Sequence, residues 1–345
     1  MFEDLINFEN VTIVWALVTA FSVLLYVILD GFNLGVGILF PFAKNKVFRD
    51  QMMNSIAPIW NGNETWLIMG GIALFCAFPV VYSSLLPAVY VPLILMLFGL
   101  ILRGVAFEFR FKSKLNRGRT IWNSAFGFGS TLATFSQGII LGAYIHGIKI
   151  ENNQFSGGPF DCFHGFSFLI GLGLIFAYAL LGACWLIRKT DGEIRVWAIK
   201  TAQIFLPITT IAFIAISIWS PFSDPIIYKR WFTAPTMYYV SAVPFISTIL
   251  LIFLYKDLYK NIGVDRRPFQ LVILLFIIGF IGLGISFWPY ALPKTLTIWD
   301  AASPLNTQLF SLVGVLIIMP VILIYTAFTY HVFRGKVSEN TSYHE

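Results

Sequence analysis

The sequence predicts an all-α integral membrane protein of nine transmembrane helices, and three observations carry that prediction. Hydrophobic residues fill 58% of the 345 positions and charged residues only 12%, far from the composition of a soluble domain. Apolar runs long enough for a bilayer, which needs roughly 20 residues per helical span, follow one another along the chain. Lys and Arg are concentrated in alternate loops between those runs.

The runs place spans at about 11–42, 54–82, 85–107, 121–146, 164–187, 201–220, 237–255, 269–289 and 308–333. Basic residues cluster at Lys44, Lys46 and Arg49; at Arg110, Lys112, Lys114, Arg117 and Arg119; at Arg188, Lys189, Arg195 and Lys200; at Lys256, Lys260, Arg266 and Arg267; and at Arg334 and Lys336. The other side receives only Lys149, Lys229, Arg230 and Lys294, while Arg103 lies within a span. The positive-inside rule then sets the N-terminus outside and the C-terminus in the cytoplasm, which an odd number of spans requires. The net charge of +6 is thereby a topology signal, and no nucleic-acid partner is expected.

Residues 1–345 read as a single polytopic membrane domain, without low-complexity segments, soluble linkers or a clear repeat. The start M-F-E-D-L-I-N-F-E-N lacks the basic residues of a secretory signal, so the first run is expected to be retained. Cys76, Cys162 and Cys184 are widely separated and read as small buried hydrophobes.

A charge at mid-bilayer costs about 2.5–3.5 kcal/mol on insertion scales, so each one in a span needs a partner, water or a task. Asp30 interrupts the first run and is followed by Gly31, Gly35 and Gly37, a spacing that admits another helix close to the backbone. It is expected to face protein, where it either pairs with a neighbouring helix or handles protons. The second run opens with N-S-I-A-P-I-W-N-G-N-E-T-W-L, in which Trp60, Asn61 and Glu64 can share one helical face. They read either as a titrating relay or as a wetted first turn behind Pro58.

The third run ends L-I-L-R-G-V-A-F-E-F-R, bringing Arg103 and Glu108 to the same cytoplasmic level. Arg103 is the natural counter-charge for Asp30 or Glu64, or an interfacial arginine that snorkels. Together these residues predict a hydrated inlet open to the cytoplasm. On the outer side stand Gln137, Tyr144, His146, Asp161 and His164, and a loop in which Trp288, Tyr290 and Trp299 read as anchors and Asp300 as a cap.

The four histidines, His146, His164, His331 and His344, show no helical metal-ligand spacing. No Walker loop, dinucleotide fingerprint or nucleophile elbow occurs. No catalytic residue, metal ligand or confident cofactor contact is therefore expected in this chain by itself.

In L-D-G-F-N-L-G-V-G, N-S-I-A-P-I-W-N-G-N-E-T-W-L, R-G-V-A-F-E-F-R and S-F-W-P-Y-A-L-P-K-T-L-T-I-W-D-A-A-S-P, the sequence resembles subunit II of the cytochrome bd quinol oxidases, with wording closest to the cyanide-insensitive branch. The resemblance runs from the first span to the F-R-G-K-V tail. It implies two four-helix bundles plus a peripheral helix in the bacterial inner membrane. It also implies a partner, subunit I, that holds haem b and haem d, or haem b alone, and binds quinol.

The complex would reduce dioxygen to water with protons from the cytoplasm and without pumping. Subunit II would support assembly, haem retention and proton delivery. The resemblance carries a proton-route role to Asp30, Trp60, Arg103 and Glu108, and a structural outer-loop role to Trp299 and Asp300. Asn61 departs from the family's usual aspartate and cannot titrate, which makes Glu64 the expected carrier, with Asn61 orienting water. Small accessory subunits and a bound lipid or quinone stay open as further partners. The competing readings are a proton-coupled transporter, which predicts a midplane site between broken helices, and a purely structural scaffold.

Overall fold

The computed structural model describes residues 7–113, 115–151, 154–260 and 265–337, apart from the side chain of Ser223. Lys114, His344 and the six N-terminal residues of the sequence reading lie outside them. The described residues form α1 (Phe8–Leu39, ending in the 3-10 turn Phe40–Phe42), α2 (Lys46–Ile56), α3 (Trp60–Ala77), α4 (Pro79–Ala88), α5 (Tyr90–Lys112), α6 (Asn116–His146), α7 (Gly165–Lys189), α8 (Gly192–Ser223), α9 (Pro225–Phe232), α10 (Thr236–Lys260), α11 (Arg267–Phe287) and α12 (Leu305–Val332). Two short hairpins, β1 (Ile150–Glu151) with β2 (Gln154–Phe155) and β3 (Tyr290–Leu292) with β4 (Leu296–Thr297), sit in the loops after α6 and α11.

Seven of these helices, α1, α5, α7, α8, α10, α11 and α12, are long and apolar enough to cross a membrane. The other two expected spans are interrupted or diluted. Residues 54–82 divide into α2, a turn at 57–59, α3 and α4, because Pro58 and Pro79 each remove a backbone donor. Pro79 takes the first helical position of α4, where no donor is needed. The presumed inner loop 43–53 is largely helical, as α2. The helix α6 covers its predicted range but carries many Ser, Thr, Gly and Asn residues.

Lipid tails solvate leucine as well as another leucine does, so helices in a bilayer associate through close packing and polar ties. Both devices converge on α1. A Cβ on Gly35 would overlap the Tyr178 carbonyl of α7 and approach the Gly182 nitrogen within 2.9 Å, so the two backbones touch. At its N-terminal end α1 is tied to α12: the Trp15 indole donates to the Gln308 carbonyl at 3.1 Å, and Gln308 Nε2 donates to Thr12 at 3.1 Å and to the Ser303 carbonyl at 2.7 Å.

Several buried hydroxyls are satisfied within their own helices, as when Ser22, Ser130 and Thr134 donate to the carbonyls of Val18, Phe126 and Ser130. The most enclosed span is α7, 72% buried over its apolar window, and the least enclosed is α12 at 6%. The site below is therefore built on the α1–α7 core, with α12 at the edge.

Candidate functional site

Three helices meet at Arg103. The guanidinium of α5 is fully buried, and its Nη2 donates to both oxygens of the fully buried Asp30 of α1, at 3.0 and 3.1 Å. The same nitrogen donates to Glu64 Oε1 of α3 at 2.6 Å. Glu64 is 27% exposed while its two partners are sealed, so it alone connects the cluster to its surroundings. The Trp60 ring lies 5.5 Å from the guanidinium carbon, a cation–π arrangement, and packs on Phe107 at 5.2 Å.

Asparagines fix the carboxylates' helices. Asn33 Nδ2 donates to Asp30 Oδ1 at 3.3 Å. Asn63 Nδ2 donates to the Leu29 carbonyl at 2.8 Å, and its Oδ1 accepts from Tyr330 of α12 at 3.1 Å. A carbonyl one residue before Asp30 is thereby tied to the first turns of α3.

The sequence reading brought Asp30, Trp60, Glu64 and Arg103 together, and they meet. Arg103, expected to serve Asp30 or Glu64, serves both. Asn61 is exposed and touches none of the three charged groups, so it does not lie between Asp30 and Glu64 as expected. The buried asparagine of that turn is Asn63, which lies about 200° around the helix from Asn61. Glu108 is half-buried and makes no ion pair among the described residues, because five residues from Arg103 it points about 140° away.

A second buried arginine was missed as a site: Arg110 pairs with Asp50 of α2 at 2.7 Å and donates to Asn123 of α6 at 2.7 Å. A polar chain was missed as well. Tyr178 donates to Gln137 Oε1 at 3.0 Å, and Gln137 Nε2 donates to Tyr26 at 2.8 Å, joining α7, α6 and α1 one turn from Asp30. Gln137, read as an outer residue, is thus part of the interior.

The loop between α11 and α12 is a lid fastened to α3. Ser303 donates through its nitrogen to the Ala77 carbonyl at 2.8 Å and through Oγ to the Cys76 carbonyl at 2.7 Å, satisfying carbonyls that the helix end leaves open. Asp300 Oδ2 accepts from Thr297 Oγ1 at 2.5 Å, and Thr297 Oγ1 accepts from the Asp300 nitrogen at 3.2 Å. Asp300 closes that turn; α12 begins only at Leu305. Trp299 meets Trp288 edge to face at 5.9 Å.

A haem needs an axial ligand, and the described histidines do not fit that role. His146 and His164 pack on each other at 4.2 Å, and both His164 ring nitrogens are engaged with Ser167. His331 is exposed at the end of α12. Among the described residues no group of three His, Cys, Asp or Glu side chains could hold a metal ion.

His164 caps α7 just outside its span, accepting from the Ser167 nitrogen. Burial, and then the neighbouring His146, push its pKa down to about 4. The unfolded imidazole takes a proton near pH 6.5, so between about 6.5 and 4 the unfolded state binds more protons and stability falls as pH falls. Amide protection in residues 154–168, corrected for the intrinsic exchange rate at each pH, is expected to fall between pH 7 and pH 5, and His164→Asn, which keeps a capping acceptor, should remove that dependence. Equal protection factors at both pH values would contradict it.

The fold and site define a polytopic helical membrane protein with a buried three-charge cluster. The chain belongs to the cytochrome bd terminal oxidase subunit II family, whose family model matches residues 11–333. It is similar to "Cytochrome bd-I ubiquinol oxidase subunit 2" of Escherichia coli (strain K12), at 27% identity over 376 residues covering 97% of each chain. It is likewise similar to "Cytochrome bd ubiquinol oxidase subunit 2" of Bacillus subtilis (strain 168), at 26% identity over 94% of this chain and 96% of that one. The fold matches a chain in the structure of bd oxidase from Geobacillus thermodenitrificans with a TM-score of 0.74, 18% identity, and coverage of 94% and 98%. The chain is accordingly a membrane subunit of an oxidoreductase complex of the respiratory chain, and a partner subunit I and haem in the complex follow from the family.

Proposed function

We propose that this chain is the non-haem subunit of a quinol:dioxygen oxidoreductase, and that Glu64, Arg103 and Asp30 form a proton-exchanging station on its cytoplasmic side. Subunit I would hold the haems, whether b and d or b alone, and bind quinol, in keeping with the poor fit of the histidines here to an axial role. Nine spans, with the N-terminus outside, would follow if α3 and α6 also cross, as their places in the core suggest. The cationic ends of α5, α7 and α10 then lie together on the inner side. Assembly and haem retention would rest on the same packed core.

The observation that carries the proton role is one guanidinium holding two carboxylates. With both ionised the cluster bears one net negative charge, and one added proton makes it neutral. Glu64 is the partly exposed member and exchanges that proton with water from the inner side, while Arg103 keeps the second carboxylate charged and in place. Trp60 and Phe107 wall the guanidinium, and Asn63 sets the turn on which Glu64 rides. Asn61 and Glu108 stand outside the cluster, at the inner rim of the route.

In assembled oxidase with wild-type haem spectra, Glu64→Gln is expected to lower oxygen consumption about 100-fold, the scale of losing a positioned proton-transfer group. Asp30→Asn is expected to lower it as well. Wild-type turnover in both variants would refute the station and leave a structural scaffold.

A further inference from the structure

A narrow cleft opens at the end of α7, between the α2–α3 turn and the end of α12, lined by Ser55, Trp185, Arg188, Lys189, Tyr330 and Arg334 among others. Its charged lining is entirely cationic; no carboxylate lines it. Lys189 is 5% exposed and already spent, donating to the carbonyls of Phe333 and Gly335, which also answers the partial negative charge of a helix end. Arg188 and Arg334 differ: neither makes an ion pair or hydrogen bond among the described residues, and Arg188 rests on the Trp185 and Phe269 rings, 5.9 and 5.6 Å from its guanidinium carbon.

Trp185, which also lines the cleft, is only 3% exposed, and its indole N–H has no acceptor. A buried donor without a partner costs about 1–3 kcal/mol. Two unpaired guanidinium groups lining the same cleft as such a donor make a set of donors with nothing to receive them, which is the complement of an oxygen-rich anion. Guanidinium forks match phosphate oxygens in particular. The cleft has about 10 Å³ for a water-sized group, enough for one oxygen to enter while the rest of the anion sits between the arginines at its mouth.

We infer that this cleft binds a phosphate group, carried by the headgroup of an anionic phospholipid or supplied as free phosphate. Basic pockets between helices on the cytoplasmic face are where anionic headgroups are recognised. The bound group would join the α2–α3 turn to the ends of α7 and α12. Tyr330, which reaches from this cleft to Asn63, extends that joint to the turn bearing Glu64. The inference stands on the cleft and would survive failure of the proton station.

The complete oxidase, delipidated in detergent, is titrated separately with dioleoyl phosphatidylglycerol, dioleoyl phosphatidylcholine and sodium phosphate, with bound molecules counted by native mass spectrometry. The Arg188→Gln/Arg334→Gln variant is expected to bind one phosphatidylglycerol about ten-fold more weakly than wild type, with phosphatidylcholine unchanged. Competition by millimolar sodium phosphate that is lost in the variant identifies free phosphate as the ligand; its absence identifies the lipid. Trp185→Phe keeps an aromatic ring against Phe32 and under Arg188 while removing the donor, and is expected to weaken the same binding about three-fold. Equal affinity of wild type and the double variant for both phosphatidylglycerol and phosphate overturns the inference. If the double variant does not assemble, Trp185→Phe decides alone, and an unchanged affinity there overturns it.

Discussion

Replacing Gly35 with leucine is expected to abolish recovery of haem-containing complex when this subunit is used as the purification handle. Any Cβ at Gly35 overlaps the Tyr178 carbonyl and crowds Gly182, and neither is a side chain that can rotate away. The obstruction is backbone on both sides, so α1 and α7 would have to part along their length. Overpacking a sound core costs about 1–3 kcal/mol when neighbours can shift; here the neighbour is the most enclosed helix of the fold, and the cost lies beyond that range. Gly35→Ala is expected to lower the yield, and Gly279→Ala, where a Cβ meets nothing within 4 Å, to leave it unchanged. Wild-type yield from Gly35→Leu would show that the α1–α7 crossing is not as close as described.

The second large effect is at Arg103. Arg103→Leu leaves the Asp30 carboxylate fully buried without its cation, a loss of about 3–5 kcal/mol for broken buried pairs. Assembled oxidase should be scarce. Removing the orphaned charge as well, in Arg103→Leu/Asp30→Leu, is expected to restore part of the yield, because the penalty belongs to the unpaired carboxylate rather than to the missing bond. That non-additivity is the signature of direct coupling. If the double variant assembles no better than the single one, the pair is not what holds these helices together. Arg103→Lys keeps the charge on a shorter side chain whose ammonium does not reach the position of Nη2, the nitrogen that makes all the bonds here, and is expected to assemble with weakened contact to one of the two carboxylates.

Much of this was legible in the sequence. Hydropathy gave most spans, and the depth of Asp30, Glu64 and Arg103 within their runs put all three at one level. Helical phase against neighbours was not legible. Asn61 and Asn63 are both plausible on spacing alone, and only the tertiary contact of Asn63 with the Leu29 carbonyl decides which faces inward. The break of the second run was readable in part, since Pro58 and Pro79 mark its limits, whereas the long apolar run drew them into one helix. Ties such as Gln308 to Thr12 and Trp15, separated by nearly the whole chain, have no local pattern. Nor has the cleft beside Trp185, whose residues come from three distant segments.

The fastening of Ser303 across the end of α3 bears on more than stability. Above Glu64 the inward face of α3 is Trp66, Met69, Gly70, Ala73 and Ala77, and its far end is stoppered by the loop that carries Ser303. On the proposed proton role, a proton arriving at Glu64 would meet a closed end along α3. These α3 residues offer it no polar side chain to step along, and the Tyr178–Gln137–Tyr26 chain beside Asp30 lies on other helices. If Glu64 gathers protons as proposed, this apolar, stoppered face is insulation: the voltage built by consuming protons on one side would not be short-circuited along α3.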